Sequence, residues 1–101
     1  MSDPLCCLNL IIPPAVEETV LDQLLLSLGS STFTRLEAHG HGLDPAHLNI
    51  SEQVQGRARQ VQIQIILSEA DAGKVLAELK QSLPQVPIFH WLMPVLSAGE
   101  I

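Results

Sequence analysis

Three of the four histidines of this chain fall within nine residues, in the stretch Glu37-Ala38-His39-Gly40-His41-Gly42 and the segment after it that holds His47. Neutral imidazole is the commonest nitrogen donor for zinc, copper and nickel. In a strand, alternate side chains share a face, so Glu37, His39 and His41 point the same way with no bulky residue between them. A metal site needs three or four donors. His39 and His41 supply two, and Glu37, Asp44, His47 and Glu52 are candidates for the rest, some of them across a subunit boundary. The expected ion is a divalent transition metal: Zn, Cu or Ni. Gly40 and Gly42 let the backbone turn sharply or approach a bound ligand closely. Arg57 and Arg59 are the cations near this segment that can meet a phosphate. The plain alternative makes the histidines polar residues of a glycine-rich hinge, since no dense ligand spacing such as a doubled His-x-x-x-His is present.

The elements that must position these residues follow from periodicity. Leu5 to Ile12 is an apolar run broken only by Asn9 and has the length of a buried strand. Pro13-Pro14 ends it and opens a helix, with Glu17 and Glu18 near the positive end of the dipole. Val16, Val20, Leu21, Leu24 and Leu28 form its stripe, and Gly29 is a natural cap. Ser31 to His41 is a second strand. Phe33, Arg35, Glu37, His39 and His41 share one face, and Thr34, Leu36 and Ala38 share the other, which is expected to be the more buried. Gly42 to Gly56 carries Gly, Asp-Pro, Asn and Ser without a strong period, a loop of about a dozen residues and long enough to suspect function.

Gln60-Val61-Gln62-Ile63-Gln64-Ile65 alternates strictly and marks the third strand. Its row of three glutamines suits a wet subunit interface better than plain solvent exposure. Ser68 caps a second helix, with Asp71 at the capping-box spacing. Val75, Leu76, Leu79 and Leu83 are buried along it, and Pro84 stops it. Ile88 to Leu96 is the last strand, and Pro94 assigns it to an edge. The order strand-helix-strand-strand-helix-strand is ferredoxin-like. It predicts an α+β fold with an antiparallel sheet in the order 4-1-3-2 and both helices on one face. The other face stays open unless another subunit covers it.

Composition narrows the function. One hundred and one residues make one domain, 1–101, and a core this small is commonly supplemented by oligomerisation. Apolar residues reach 47% and mean hydropathy is +0.28, an excess that suggests surface reserved for subunit contacts. Five Lys or Arg against a net charge of −6 give no basic footprint for nucleic acid or for anionic membrane. Cys6 and Cys7 are adjacent, point to opposite faces in a strand, and form no disulfide framework. They are expected to be buried small hydrophobes in a reducing cytoplasm. Met1-Ser2-Asp3-Pro4 lacks a basic n-region, so a secretory signal is not expected. No apolar run reaches transmembrane length.

Catalysis has little support. There is no nucleophile elbow and no pair of carboxylates in a predicted cleft. Acylphosphatases share the topology but need an Arg-rich phosphate loop near the N-terminus, which is missing. A small ferredoxin-fold oxygenase, with His39 and Trp91 lining one pocket, is the enzymatic alternative. His90 is expected to be a structural residue at a subunit contact. Phe89, Trp91 and Met93 share a face as a hydrophobic anchor.

With the fold order come three markers: Gly40-His41-Gly42, the strand start Gly56-Arg57-Ala58-Arg59-Gln60-Val61, and His90-Trp91-Leu92-Met93-Pro94-Val95-Leu96. In that order and spacing, over nearly the whole chain, they resemble the PII-like superfamily, and more closely a small branch of it associated with heavy-metal efflux systems. The resemblance implies a homotrimer with effector clefts between subunits. Each cleft is flanked by a loop, here residues 43–56, that contacts a membrane transporter. It implies a regulator with no enzymatic activity. Two departures argue against ATP or ADP sensing. No glycine-rich, Lys-bearing phosphate loop is present, because Gly73-Lys74 lies inside the predicted second helix. The loop tyrosine modified in some relatives is also missing, since the chain has no Tyr. A ligand-free trimeric scaffold is the alternative from a different class.

Overall fold

In a computed structural model, residues 4–28, 33–41 and 57–101 are described. The elements are β1 (Leu5–Ile12), a 3-10 turn (Pro14–Val16), α1 (Glu17–Leu28), β2 (Phe33–His41), β3 (Arg57–Ser68), α2 (Glu69–Ser82) and β4 (Phe89–Pro94). They form one antiparallel sheet in the order β2-β3-β1-β4. This is the ferredoxin-like arrangement read from the sequence, with β4 at an edge where Pro94 leaves no ladder bond unmade. β3 is longer than its alternating core, and β4 stops at Pro94, two residues short of the predicted end.

Strict alternation in the two central strands builds the core. Cys6, Leu8, Leu10 and Ile12 stand opposite Leu67, Ile65, Ile63 and Val61, and all eight are buried. Val20 and Leu24 of α1 and Ala72, Val75 and Leu79 of α2 close over them. Burial raises the Cys6 thiol above its ordinary pKa, with the charges of Glu69 and Cys7 adding to the effect. Cys7 faces the other way and is half-buried.

The helices are fixed at their ends and along their seam. Val16 N–H donates to the Pro13 carbonyl (3.2 Å) and leads the chain into α1. Ser68 Oγ accepts the Asp71 N–H (3.1 Å) at the start of α2. Leu83 N–H donates to the Leu79 carbonyl (2.8 Å) at its end, just before Pro84. Between the helices, Gln23 Nε2 donates to Glu78 Oε2 (3.3 Å), Ser27 Oγ donates to the same carboxylate, and Ser82 Oγ donates to Gln23 Oε1 (3.4 Å).

The helices leave the opposite sheet face open. It carries Leu5, Cys7, Asn9 and Ile11 of β1, and Gln60, Gln62, Gln64 and Ile66 of β3. Thr34, Leu36 and Ala38 of β2 and Phe89, Trp91 and Met93 of β4 complete it. None of these side chains is charged. Asn9 lies at its centre, 1% exposed. Its Oδ1 accepts from Gln62 Nε2 (3.2 Å) and Gln64 Nε2 (3.3 Å), and its Nδ2 points to the sulfurs of Cys7 (3.6 Å) and Met93 (3.9 Å). The break in the apolar run of β1 is therefore a polar hub joining β1 to β3 and β4.

Neither face of β2 is the clearly buried one: Thr34 and Leu36 (40% exposed) are exposed and Ala38 is half-buried, beside exposed Arg35, Glu37, His39 and His41. The register sets the facing, because Phe33, Arg35 and Glu37 stand opposite Ile65, Ile63 and Val61 and so share the helix-side face. Phe33 packs against the core. The residues after it on that face are exposed. Replacing Ser68 by Ala should lower unfolding stability by about 1 kcal/mol, read as a lower urea midpoint with an unchanged m-value.

Candidate functional site

The candidate ligands sit at one end of the β2–β3 pair. His39 is opposite Arg59, Gly40 opposite Ala58 and His41 opposite Arg57. Glu37 is opposite Val61, one pleat further in. Directly opposed residues hold their Cβ atoms about 5 Å apart. The strand register thus gathers Glu37, His39 and His41 with Arg57 and Arg59, residues widely separated in sequence. Glu37, His39 and Arg59 border a small hollow of about 50 Å³ beside Pro14 and Arg35. Their side chains are exposed, so ligand access needs no opening of the core. Gly42, His47, Asp44 and Glu52, with all of loop 43–56, lie outside the described residues.

Glu37, His39 and His41 share one face, as the alternation predicts. Recurring at every second residue, neighbours are about 7 Å apart along the strand. Two adjacent members can share an ion, and a complete set needs donors from elsewhere. Among the described residues, no group of three or more His, Cys, Asp or Glu is gathered to hold a metal. The arginines opposite the imidazoles also add positive charge, which favours an anionic ligand over a bare cation. This end of the sheet therefore carries donors for a metal and cations for an anion on one edge.

An ion pair that the sequence did not reveal fastens this edge to the helical layer. Arg35, two residues before Glu37, donates through Nε to Glu17 Oε2 and through Nη2 to Glu17 Oε1 (3.0 Å). The pairing is bidentate. Glu17 starts α1, so the contact ties the beginning of that helix to β2. The guanidinium's hydrogen bond, more than its charge alone, holds the Glu17 carboxyl below the ordinary carboxylate range, and the same bond raises Arg35. The only sequence signal was that Arg35 alternates with Glu37 and His39 on one face.

Within one chain His39 and Trp91 do not line a common pocket, because β2 and β4 are opposite edges of the sheet and the two side chains lie on opposite faces. His90 is on the helix side of β4, opposite Leu10, and Phe89, Trp91 and Met93 share the open face as expected. The Phe89 and Trp91 rings are 6.1 Å apart, tilted by 50°. No helix among the described residues is long and apolar enough to cross a membrane.

Residues 1–101 match the family described as "Protein of unknown function (DUF3240)". The chain belongs to the DUF3240 family. A DUF3240 protein from Shewanella baltica OS155 has a crystal structure similar to it over 100% of this chain and 99% of that one, with a TM-score of 0.77 and 20% identity. CPII, a nitrogen regulatory PII-like protein from Thiomonas intermedia K12 bound to ADP, AMP and bicarbonate, is similar over 97% of both chains, with a TM-score of 0.73 and 19% identity. A PII-like signalling protein from Thermus thermophilus matches over 92% of this chain and 88% of its own, with a TM-score of 0.67 and 18% identity. No curated protein sequence matches the chain. At these identities the likeness establishes the fold: this DUF3240 chain has the ferredoxin-like fold of PII-like proteins.

The Arg35–Glu17 pair predicts a pH signature. A carboxyl whose folded pKa is depressed adds stability above its unfolded pKa and loses it as pH falls through the folded value. The urea midpoint of the native chain should exceed that of Glu17→Gln at neutral pH, and the gap should close as pH falls below the ordinary carboxylate range. A gap that persists in acid would assign the effect to packing.

Proposed function

We propose that this chain is a regulatory protein of the PII-like type, a cytoplasmic homotrimer that binds a small effector at the Glu37–His41 end of β2 and carries out no bond chemistry. The effector is a divalent transition metal held by His39 and His41 with Glu37 and His47. Gly40 and Gly42 give the backbone room beside it, and Arg57 and Arg59 balance charge. Binding alters the order of loop 43–56, and the loop acts on a membrane transporter of the heavy-metal efflux kind. Such a device is a population shift of a loop, driven by the ligand's preference for one of its states. The observation that supports this reading most is the shared face of Glu37, His39 and His41 at one end of the β2–β3 pair. It collects every described candidate ligand where both strands run out into residues 42–56.

A second effector class has its own support. CPII is bound to ADP, AMP and bicarbonate, and the two arginines at this edge suit an anion. Calorimetric titration of metal-free protein with Zn²⁺, Cu²⁺ and Ni²⁺, beside ADP, AMP and bicarbonate, separates the two. Micromolar binding of a metal, lost in the His39→Ala/His41→Ala variant with the assembly mass unchanged, is the expected result. Metal affinity retained in that variant would sink the imidazole site. Binding of nucleotide or bicarbonate alone, weakened by Arg59→Ala, would replace the metal with an anion. Silence from all of them would leave the ligand-free scaffold.

Support for the assembly comes from the uncharged open face, where Ile66 is 43%, Phe89 67% and Met93 50% exposed. A broad uncharged surface that leaves large apolar side chains this exposed suits an interaction site. Placing a lysine there would bury an unpaired charge at a cost of several kcal/mol. Ile66→Lys should therefore reduce the mass by light scattering from three chains to one, and Glu18→Lys on the helical side should leave it unchanged. A native mass of two chains would substitute a dimer through the same face.

A further inference from the structure

A second apolar feature lies on the helix side, away from the uncharged face. Only two helices cover four strands, and the strip above β4 beside α2 is left partly roofless. A hollow of about 260 Å³ runs there, walled by Leu76 and Leu79 of α2 and Leu83 just past its end, and closed by Val86, Ile88 and His90, with Lys80 at its side. Leu92, the next helix-side residue of β4 after His90, is 45% exposed. The groove is thus an apolar trough with one firm positive charge, on the last turn of α2.

The same molecule carries a segment of matching chemistry. After β4, residues 95–101 run as Val-Leu-Ser-Ala-Gly-Glu-Ile. Leu96 and Ile101 are fully exposed, with Glu100 beside the second of them. Val95 N–H donates to the Leu5 carbonyl (3.1 Å), which directs the segment away from its own groove, whose β4 residue His90 is at the strand's other end. Six residues extended span about 20 Å, enough to cross to a neighbouring copy. Two leucine-class side chains leaving water contribute about 1.5–3 kcal/mol each before ordering costs.

We infer that segment 95–101 of one copy docks in the α2–β4 groove of a second copy, its Leu96 and Ile101 filling the apolar trough and its Glu100 pairing with Lys80. The surface is distinct from the uncharged sheet face and does not depend on the effector reading. It makes the contact between copies two-sided: a flat sheet surface on one side of the molecule and an exchanged segment on the other.

An isotope-filtered nuclear Overhauser experiment on an equal mixture of ¹³C-labelled and unlabelled full-length protein tests it. Contacts between the methyl groups of Ile101 or Leu96 in one copy and those of Leu79, Leu83 or Ile88 in the other are expected. Contacts seen in uniformly labelled protein but missing from the mixture would mean the segment folds onto its own groove and would overturn the proposal. So would the absence of any such contact. A charge exchange supplies the second reading, because Lys80 and Glu100 are both exposed and their replacement leaves the core intact. Lys80→Glu and Glu100→Lys should each weaken the intermolecular contact about two- to five-fold. The double variant should recover it. Equal loss in the singles and the double would also overturn the pairing.

Discussion

The antiparallel pairing of β1 with β3 is the constraint on which the rest of the molecule depends. Four apolar residues on each strand, spaced by two and set in register, commit one side of the sheet to the helices. A slip of one residue would turn every one of them outward. Once this pair is fixed, the outer strands inherit their facing. β2 must present Phe33, Arg35, Glu37 and His39 on the helix side, and β4 must present His90 and Leu92 there.

That inheritance separates the two working ends of the chain. The helices are too narrow to cover a four-stranded sheet, so the helix-side rows of the edge strands extend beyond their shelter. On β2 the unsheltered row holds carboxylate and imidazole, with the arginines of β3 alongside. On β4 it holds His90 and Leu92, and His90 borders a groove. The Arg35–Glu17 pair turns the first row from a loose margin into a seated one, because it locks the beginning of α1 to the strand just before Glu37.

The sequence carried most of this. Gln60 to Ile65 announced a half-buried strand because every second residue belongs to a different solvent. Ser68, Pro84 and Pro94 marked boundaries because capping and the missing N–H leave few other places for them. β2 was less legible for the same physical reason. Both its faces are largely exposed, one charged and one uncharged, so hydropathy picks out Leu36 for burial while its neighbour's register alone decides which face meets the helices. The Arg35–Glu17 pair and the hub at Asn9 were invisible for a different reason. Each joins residues from separate elements, and no local period encodes such a meeting. The glutamine row was the one hint, since three uncharged polar residues on a central strand ask for a shared partner.

The open sheet face has a consequence beyond its shape. Its polarity consists of amides, a hydroxyl and the Trp91 indole N–H, and none of its side chains carries a formal charge. Contacts made through such a surface contain no Coulombic pairs for dissolved salt to screen. The β2 edge is the reverse, a cluster of acids, imidazoles and guanidinium groups whose mutual energies change with ionic strength. One thin sheet thus carries a side that is deaf to the ionic state of its surroundings and a margin that responds to it. Changes in electrolyte can act on the margin while leaving the amide-rich side as it was.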